Sequence, residues 1–403
     1  MPILSIIRER FEREKPLKGV QIGTCLHLEK KTGILLEILA AGGAKVSACS
    51  CNPLTTDDRV AAALSKKMRV FAWTGLNRKD YYWCINKVLD AKPKVLIDDG
   101  CDQVFAVHTE RQGLLKTVAG GCEETTTGVT RLKAMEKDGE LKFPVFAVNN
   151  AFSKHLFDNR FGTGQSTVDA ITHATNKLIA GKTAVVVGFG WCGKGIAERL
   201  RGMGANVIVV ESALRLGKEP SGYHKALEAL YSGYRVMNMD EAAPLGDLFV
   251  TVTGGKHAIA GKHLKKLKNG AILANAGHFD IEIDTASLRS MAVKTRQMKD
   301  NVEQFVFKNG KKVYLLSEGR LVNLARPAGQ GHPIEIMDGS FAVQALCARF
   351  MAEKGKSMDP VVYDVPVKVD DEVARLALQS QGVKLKKPSK EQLTYLSSWE
   401  EGT

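Results

Sequence analysis

The chain has 403 residues, of which 44% are hydrophobic and 25% charged. This length exceeds one ordinary hydrophobic core and predicts two or three domains, and no apolar run reaches the roughly 18 residues of a membrane span. The net charge of +13 comes from basic residues spread along the chain without aromatic interleaving, which favours anionic small molecules over nucleic acid as partners.

The first part of the chain alternates short apolar runs with helical patterns. The segment MPILSIIRERFEREKP predicts an amphipathic helix rather than a signal peptide, because its apolar residues precede its charges. The predicted strands are 19–25, 45–49, 70–73 and 95–98, and the predicted helices are 29–41, 57–67 and 81–89. This order predicts a parallel sheet covered on both faces, with His27, Asn52 and Asp98–Asp99 at the strand ends where such sheets bind ligands.

A glycine-rich turn follows the next predicted strand, in AVVVGFGWCGKGIAERLRGMGANVIVVE (184–211). Gly188 permits the tight turn, Gly190 lets a pyrophosphate approach the backbone, and Gly193 lets the helix pack closely. Glu211 comes about twenty residues later, where a carboxylate accepts the ribose hydroxyls of NAD and disfavours the 2′-phosphate of NADP. We therefore expect NAD as the cofactor; the alternative is a glycine turn in another kind of α/β domain.

A second β/α series runs from residue 182 to about 324, with strands at 184–187, 207–210, 248–252, 271–275 and 313–316. The last section is expected to be helical, with GSFAVQALCARFMAEKG as its clearest helix. The predicted fold class is α/β, with two Rossmann-like doubly wound parallel-sheet domains around a cleft and a small helical C-terminal segment. The expected domains are 1–158 for substrate, 159–323 for NAD, and 324–403 returning to the substrate domain, with hinges near Asn159 and Asn323.

Eight cysteines are scattered along the chain, which is typical of reduced thiols and predicts a cytoplasmic protein. Cys49 and Cys51 form the one close pair, and no second pair or nearby histidine completes a site in the sequence. We expect no metal, with binding by this pair as the less favoured alternative.

Several polar strings surround the glycine turn, and in this order they resemble the S-adenosylhomocysteine hydrolase (adenosylhomocysteinase) family over nearly the whole chain. The strings are CLHLEKKT, SCNPLTTDD, DDGCD, EETTTGVTRLKAM, FDNRFGTGQST, NAGHFD, RLVNL and GHP. The ending YLSSWEEGT is similar to the shorter, archaeal-type branch. The resemblance implies reversible hydrolysis of S-adenosyl-L-homocysteine to adenosine and homocysteine within the methyl cycle. It also implies tightly bound NAD, 3′-oxidation, elimination, water addition and re-reduction, in a homotetramer that binds neither nucleic acid nor membrane.

The resemblance also implies a set of site residues. Lys154 and Asp158 would lie beside the 3′-hydroxyl, and their spacing of four places them on one face of a helical turn. Asp99 and His27 would perform acid–base chemistry near C4′ and C5′, and His278 would contact the homocysteine end. The implied substrate-binding residues are Glu124 on the ribose hydroxyls, His332 near the adenine, Phe279 at a gate with His278, and also Glu29, Thr32 and Phe341. The implied cofactor-binding residues are Thr125, Thr126, Thr127, Asn159, Gly188, Gly190, Trp191, Cys192, Gly193, Glu211, Gly277 and Asn323.

Taken singly, these residues have simpler interpretations. A Lys-x-x-x-Asp pair is more often a surface ion pair, His27 a core or surface histidine, and Asp99 a helix cap. The three successive threonines alone indicate only a β-prone segment. The flanking strings favour the catalytic interpretation.

Four features depart from the family pattern. A longer loop follows Glu211, extra residues precede Gly331, Asn150 stands where the family usually has Asp, and Asp57 replaces a usual Gln. The chain also begins later than the family pattern, without a leading helix. Since the segments around Asp57 and 325–330 belong to the purine side, the preferred purine stays open.

Four alternatives therefore accompany the leading hypothesis. The same mechanism would act on S-inosylhomocysteine, or on another 5′-substituted nucleoside as a dehydratase does. A regulatory NAD-binding protein without turnover would lack nucleoside-driven reduction of its cofactor. An ordinary NAD-dependent dehydrogenase would release NADH in proportion to substrate.

Overall fold

The computed structural model describes residues 1–215 and 220–400, and two open β-sheets organise this part of the chain. The first sheet has seven parallel strands in the order β15-β6-β5-β4-β1-β2-β3. Its strands are β1 Gln21–Cys25, β2 Lys45–Cys49, β3 Arg69–Phe71, β4 Val95–Asp98, β5 Gly120–Glu123, β6 Val145–Ala147 and β15 Val362–Asp364. The predicted parallel sheet is confirmed here.

The second sheet has eight strands in the order β12-β13-β14-β11-β10-β7-β8-β9. Its strands are β7 Thr183–Val187, β8 Asn206–Val210, β9 Arg235–Met237, β10 Leu248–Thr251, β11 Ala271–Asn275, β12 Ala292–Lys299, β13 Val302–Phe307 and β14 Lys312–Leu316. The pairs β12–β13 and β13–β14 are antiparallel, so this sheet is mixed rather than wholly parallel. β12 is nearly all exposed and polar (AVKTRQMK), and for this reason it carries no apolar strand signal.

Helices cover both faces of the two sheets. They are α1 Pro2–Glu14, α2 Lys30–Ala41, α3 Asp58–Ser65, α4 Arg78–Leu89, α5 Asp102–Thr109, α6 Thr126–Lys137, α7 Phe152–Lys154, α8 Thr163–Thr175, α9 Trp191–Gly202, α10 Gly222–Tyr231, α11 Met239–Ala242, α12 Gly261–Leu264, α13 Thr285–Met291, α14 Ile334–Lys354, α15 Val367–Ser380 and α16 Lys390–Ser397. A π-helix, His155–Gly162, joins α7 to α8. The predicted amphipathic N-terminal helix is confirmed, since α1 buries Ile3, Leu4, Ile7 and Phe11.

The section after residue 323 is not wholly helical, which corrects the expectation from sequence. β15 pairs in parallel with β6 at the edge of the first sheet. A strand of three residues between two long helices is too short to give a periodic signal. The long helix α14 packs against α1 and α2, so this section of the chain lies on the first sheet.

Neighbouring residues of each central strand enter opposite cores, because side chains alternate across a sheet. Leu96 and Ile97 belong to hydrophobic clusters on opposite faces of the first sheet, and Val185 and Val186 do the same in the second. Sheets that are buried on both faces have continuous apolar strands, which explains why these were easy to predict. All eight cysteines lie within the described residues, each as a free thiol. Across residues 1–215 and 220–400, no helix has the length and apolarity needed to cross a bilayer.

Candidate active site

A cavity lies where the carboxyl ends of β1, β4 and β5 face the loops after β11 and β14 of the second sheet. Most of the predicted site residues line it: His27, Glu29, Thr32, Asp99, Glu124, Thr125, Thr126, Lys154, Asp158, Asn159, Cys192, His278, Asn323, His332 and Phe341. The others lie outside the lining: Thr127, Gly188, Gly190, Trp191, Gly193, Glu211, Gly277 and Phe279. Parallel strands thus bring residues from distant parts of the sequence to one place.

Lys154 is at the centre of a buried polar cluster. Its Nζ lies 3.0 Å from Asp158 Oδ1 and 3.7 Å from Glu124 Oε1, and it donates to Asn159 Oδ1 at 2.8 Å. The side chain of Lys154 is only 6% exposed and that of Asp158 only 3%, so this pair is not the surface ion pair that the spacing alone would suggest.

The π-helix explains why two consecutive residues reach the same ammonium group. Its wider turn starts at His155, directly after Lys154, and places both Asp158 and Asn159 against Nζ. The sequence spacing predicted only the contact four residues on. Single π turns are frequent at functional sites, because they reorient side chains within a helix.

The charges of this cluster shift the pKa values of its members. Burial lowers the pKa of Lys154, but the carboxylates of Asp158 and Glu124 outweigh burial and raise it overall. Burial likewise raises the pKa of Asp158, whereas Lys154 and His332 bring it below its usual range. Burial raises the pKa of Glu124 to about 8. Near neutral pH the free protein therefore holds Lys154 and Asp158 as an ammonium–carboxylate pair, and protonation of Glu124 leaves Asp158 as the main counter-charge of Lys154.

A second group contains two histidines on either side of Asp99. His27 Nε2 lies 3.4 Å from Asp99 Oδ2, and His278 Nδ1 lies 3.6 Å from Asp99 Oδ1. Burial lowers the pKa of His27 to about 3, so the imidazole is neutral. Burial also raises the pKa of Asp99 and lowers that of His278. Asp99 thus lies within 3.6 Å of two imidazole nitrogens, which is the geometry that proton transfer between these groups requires.

Cys51 completes a set of potential metal ligands with His27 and Asp99, whose ligand atoms all lie within 4.8 Å of one another. Its thiol lies 3.6 Å from Asp99 Oδ2. Burial raises the pKa of Cys51 well above its usual value, so the thiol of the free protein keeps its proton and donates it to Asp99.

The loop that carries Asp99 is held by a neighbouring acid. Glu123 accepts hydrogen bonds from the backbone N–H groups of Gly100 at 2.8 Å, Cys101 at 3.0 Å and Thr125 at 3.1 Å. In each acidic pair, Asp98–Asp99 and Glu123–Glu124, the second acid lines the cavity and the first binds backbone. The hydrogen bonds of Glu123 thus join the DDGCD and EETTTG segments into one continuous part of the cavity wall.

Lys31 is a cavity residue that the sequence analysis missed. Its Nζ donates to Glu29 Oε2 at 2.9 Å and to the carbonyl of Gln330 at 3.1 Å. Glu29 also caps α2 by accepting from the N–H of Lys31. A lysine in the first turn of an amphipathic helix is ordinarily exposed, so nothing in the local pattern singled it out. The same helix start places Thr32, whose hydroxyl donates to the carbonyl of His27 at 2.6 Å.

His332 lies close to the Lys154 cluster, with Nδ1 at 3.2 Å from Asp158 Oδ1. Its Nε2 lies 3.2 Å from Thr163 Oγ1 and 3.3 Å from Asn323 Nδ2. Other contacts that the sequence did not indicate come from Gln344, which donates to Glu124 Oε2 at 2.6 Å, and from Asn149, which accepts from Asn159 Nδ2 at 3.1 Å. Gln344 lies in α14 and Asn149 in the turn after β6. The sequence does not indicate these contacts, because they form only when the fold brings these two elements to the cavity.

The glycine turn has the shape that a dinucleotide needs. A Cβ added at Gly193 would lie 2.0 Å from the carbonyl oxygen of Gly188, so the helix and strand meet there without room for a side chain. A Cβ at Gly190 would meet none of the described atoms within 4 Å, so that face of the turn is open. Glu211 accepts from the N–H groups of Phe189 and Ser212 and so holds the turn from the end of β8.

One unsatisfied atom also points to a ligand. Asn323 Oδ1 is buried, and no described residue donates a hydrogen bond to it, although the amide nitrogen of the same side chain contacts Ser166. Asn323 lines the cavity together with Thr125, Thr126 and Asn159. A bound amide group would satisfy the free oxygen.

The structure places three of the four departures from the family pattern. Asn150 Oδ1 accepts from Asn149 Nδ2 at 3.3 Å, one residue away from the Lys154 contacts. Asp57 pairs with Arg326, at 3.0 Å, so the two departures that we expected on the purine side contact each other. The longer loop after Glu211 includes residues 216–219, which lie outside the described residues.

Comparisons with known proteins agree with this geometry. The family model described as S-adenosyl-L-homocysteine hydrolase matches residues 1–116, and the model for the NAD binding domain of the same family matches residues 159–329. The chain belongs to the S-adenosyl-L-homocysteine hydrolase family. Membership confirms the resemblance inferred from the polar strings, and the NAD-binding domain confirms NAD as the cofactor.

Relatives of this chain carry two names. An S-inosyl-L-homocysteine hydrolase of Methanocaldococcus jannaschii is 53% identical, over all of this chain and 94% of its own length. Another of Methanopyrus kandleri is 54% identical, over all of this chain and 93% of its own length. An adenosylhomocysteinase of Pyrococcus abyssi is 52% identical, over all of this chain and 93% of its own length. Sequence identity alone therefore does not separate the two purines.

Proposed function

We propose that this protein catalyses the NAD-dependent, reversible hydrolysis of S-adenosyl-L-homocysteine to adenosine and L-homocysteine. One observation carries the proposal: the Lys154–Asp158–Glu124 cluster and the His27–Asp99–His278 group line one cavity, which also reaches the Asn159 and Asn323 side of the cofactor domain. Net hydrolysis adds water across a carbon–sulfur bond and needs no external oxidant.

The first cluster suits a ribose. Lys154 would donate to the 3′-oxygen, and Asp158 would keep the ammonium group in place. Glu124 would bind the ribose hydroxyls, held in position by Gln344. NAD, when bound, would take the 3′-hydride and return it at the end of the cycle.

A lysine that is held as an ammonium cannot accept a proton in the free enzyme. Its raised pKa therefore indicates that Lys154 first donates a hydrogen bond. Any later role of Lys154 as a base requires a more positive local field, because nearby positive charge lowers the pKa of an ammonium group. Asn159, which also contacts Nζ, would bind at this junction.

The second group suits the other half of the ribose. Asp99, flanked by two neutral imidazoles, would move protons at C4′ and at the leaving sulfur. His278 packs over Gly100, where an added Cβ would lie 2.4 Å from its Nε2. This close packing fixes the imidazole relative to Asp99, as orientation in catalysis demands.

The residues of the glycine turn and of the loops around it would bind NAD. Gly188, Gly190, Gly193 and the start of α9 at Trp191 and Cys192 would bind the pyrophosphate, with Glu211 on the adenosine ribose. Thr125, Thr126, Thr127, Gly277 and Asn323 would approach the nicotinamide half. We also propose Phe279 as part of a gate, because its ring lies 4.7 Å from that of His278.

We also propose a division into two domains, an assembly of several copies and a cytoplasmic location. Residues 1–158 and 324–403 would act as the substrate domain and 159–323 as the NAD domain, since the first sheet contains β1–β6 and β15. The segment after α15 exposes Leu396 at 74% and Trp399 at 92%, which supports an assembly of several copies that covers such surfaces; the family resemblance implies that this assembly is a homotetramer. The eight free thiols support a cytoplasmic location.

A second candidate, hydrolysis of S-inosyl-L-homocysteine, is favoured by Lys31. The ammonium group of Lys31 can only donate hydrogen bonds, and it already donates to two acceptors, Glu29 and the Gln330 carbonyl. Hypoxanthine offers O6 as an acceptor and N1–H as a donor side by side, which match Lys31 and Glu29. Adenine has a donor, its amine, where hypoxanthine has the acceptor O6, and an acceptor, N1, where hypoxanthine has the donor N1–H. The orientation of the base in the cavity therefore decides which of the two purines matches Lys31 and Glu29.

Thiol release from the two thioethers, measured side by side with purified protein and NAD, tests both candidates. Lys154→Ala should abolish release, whereas the exposed Lys133→Ala serves as a control that retains it. Lys31→Met should lower kcat/KM for the inosyl compound relative to the adenosyl compound by about tenfold or more if Lys31 donates to O6. Silence with both thioethers would refute the hydrolase; accumulation of free NADH would instead indicate a dehydrogenase.

A further inference from the structure

Arg326 connects three segments of the chain that lie far apart in sequence. Its Nη2 lies 3.0 Å from Asp57 Oδ2, and its backbone N–H donates to the carbonyl of Leu54 at 3.2 Å. Its own carbonyl accepts from the side-chain amide of Asn301. Leu54 and Asp57 follow β2 of the first sheet, and Asn301 is in the turn between β12 and β13 of the second. One residue therefore joins the two halves of the molecule.

The acidic partner of Arg326 is fixed and buried. Asp57 is 3% exposed, caps α3 by accepting from the N–H of Arg59, and donates its own N–H to the carbonyl of Leu28 at 2.8 Å. Leu28 precedes Glu29, so Asp57 borders the part of the cavity that contains Lys31. Burial raises the pKa of Asp57, but Arg59 and Arg326 outweigh burial and lower it overall. The carboxylate is therefore ionised, and a buried charge of this kind depends on its partner.

The segment after Arg326 returns to the cavity at its other end. The carbonyl of Gln330 accepts from Lys31, and the N–H of Gly331 donates to the carbonyl of Asn323 at 2.8 Å. Leu324 and His332, which flank the segment, both line the cavity. The segment is thus held at Arg326 by an ion pair and at Gln330 by a hydrogen bond.

We propose that the Asp57–Arg326 ion pair is a positioning clasp for the purine end of the site. It keeps segment 324–331 against the loops of the first sheet, so that the Gln330 carbonyl stays on Lys31 and His332 stays beside Asp158. This inference rests on the proposed function for its kinetic consequence. Since the clasp lies away from the reacting carbons, it contributes to nucleoside binding more than to chemistry.

Two substitutions isolate the ion pair. Asp57→Asn keeps the N-cap, because Asn caps a helix as well as Asp does, and removes only the charge. Arg326→Gln removes the other charge. Each variant should raise KM for the thioether, and Kd for the free nucleoside, about tenfold while kcat changes less than about twofold, which is the signature of lost uniform binding. Arg326→Lys should restore part of the loss.

Arg59→Gln is the matched control. Arg59 contacts the same carboxylate, at 3.4 Å, but its side chain is 83% exposed. An exposed ion pair contributes little, so this variant should match the wild type. The double variant Asp57→Asn/Arg326→Gln should be no worse than either single one, because residues of one pair are not additive.

Hydrogen exchange of the free protein separates this inference from the proposed function. Loss of the clasp should speed exchange at the amides of Gly329 and Gly331, whether or not the protein is a hydrolase. Folded Asp57→Asn and Arg326→Gln variants with wild-type exchange and wild-type nucleoside Kd would overturn the clasp. A wild type that releases no thiol would refute the hydrolase, while faster exchange in both variants would still support the clasp.

Discussion

Asp158→Asn is the substitution that most directly perturbs the electrostatics of the Lys154 cluster. It removes a charge 3.0 Å from Lys154 Nζ while nearly preserving the shape of the side chain. Ser340, whose hydroxyl donates to Asp158 Oδ2 at 2.8 Å, can instead accept from the amide NH2 when the amide oxygen of Asn takes the Oδ1 position that faces Lys154. The change therefore tests charge rather than packing.

The distance sets the size of the effect. Two unit charges 3.0 Å apart attract by about 5 kcal/mol at an effective dielectric constant of about 20. The amide dipole replaces part of this attraction, and each pH unit corresponds to about 1.4 kcal/mol. The pH at which Lys154 loses its proton should therefore fall by about two to four pH units.

The assay is the reduction of bound NAD on addition of nucleoside, followed by absorbance across the pH range. In the wild type, the rate should rise with pH toward the alkaline end, because Lys154 is held as an ammonium. In Asp158→Asn the same rise should occur at markedly lower pH, and Ser340→Ala, which keeps the charge, should leave the profile nearly unchanged. Superimposable profiles for Asp158→Asn and the wild type would refute the electrostatic role of the pair.

Three further predictions concern the cofactor turn and the buried acid. Gly193→Ala should lose both stability and NAD affinity, because its Cβ would lie 2.0 Å from the carbonyl oxygen of Gly188. Gly190→Ala should lose only NAD affinity, because its Cβ would meet no described atom within 4 Å. Equal losses of melting temperature in the two variants would contradict this contrast. Glu211→Ser should weaken NAD binding and raise the NADP-to-NAD affinity ratio, measured by titration; an unchanged ratio would contradict the role of the carboxylate. Burial raises the pKa of Glu124 to about 8, so the folded state binds more protons than the unfolded state between about pH 4.3 and 8. Stability from this group falls with rising pH across that range, and Glu124→Gln should gain melting temperature relative to the wild type; a constant difference would contradict the shifted pKa.

The sequence predicted the parts of the fold that follow from local patterns. Central strands such as β4 and β7 are continuous apolar runs, since both faces are buried. The exposed hairpin strand β12 and the short strand β15 lack such a pattern, and they depend on pairing with distant segments.

The same distinction applies to the site. Lys154 and Asp158 were identified from their flanking strings, but their contact with Asn159 depends on a π turn that no spacing rule indicated. Lys31 was missed because a lysine in a first helical turn is ordinarily solvated. The contact of Asp57 with Arg326 joins two positions that the sequence marked separately.

The proposed enzyme oxidises and then re-reduces its substrate on one set of residues. The most direct test follows thiol release and bound NADH together during one reaction with S-adenosyl-L-homocysteine, and then with S-inosyl-L-homocysteine. We predict continuous thiol release with at least one of the two, and a small steady level of bound NADH that returns to NAD when substrate is exhausted. Thiol release without any NADH signal, or NADH that accumulates in proportion to substrate, would refute this cycle of oxidation and re-reduction.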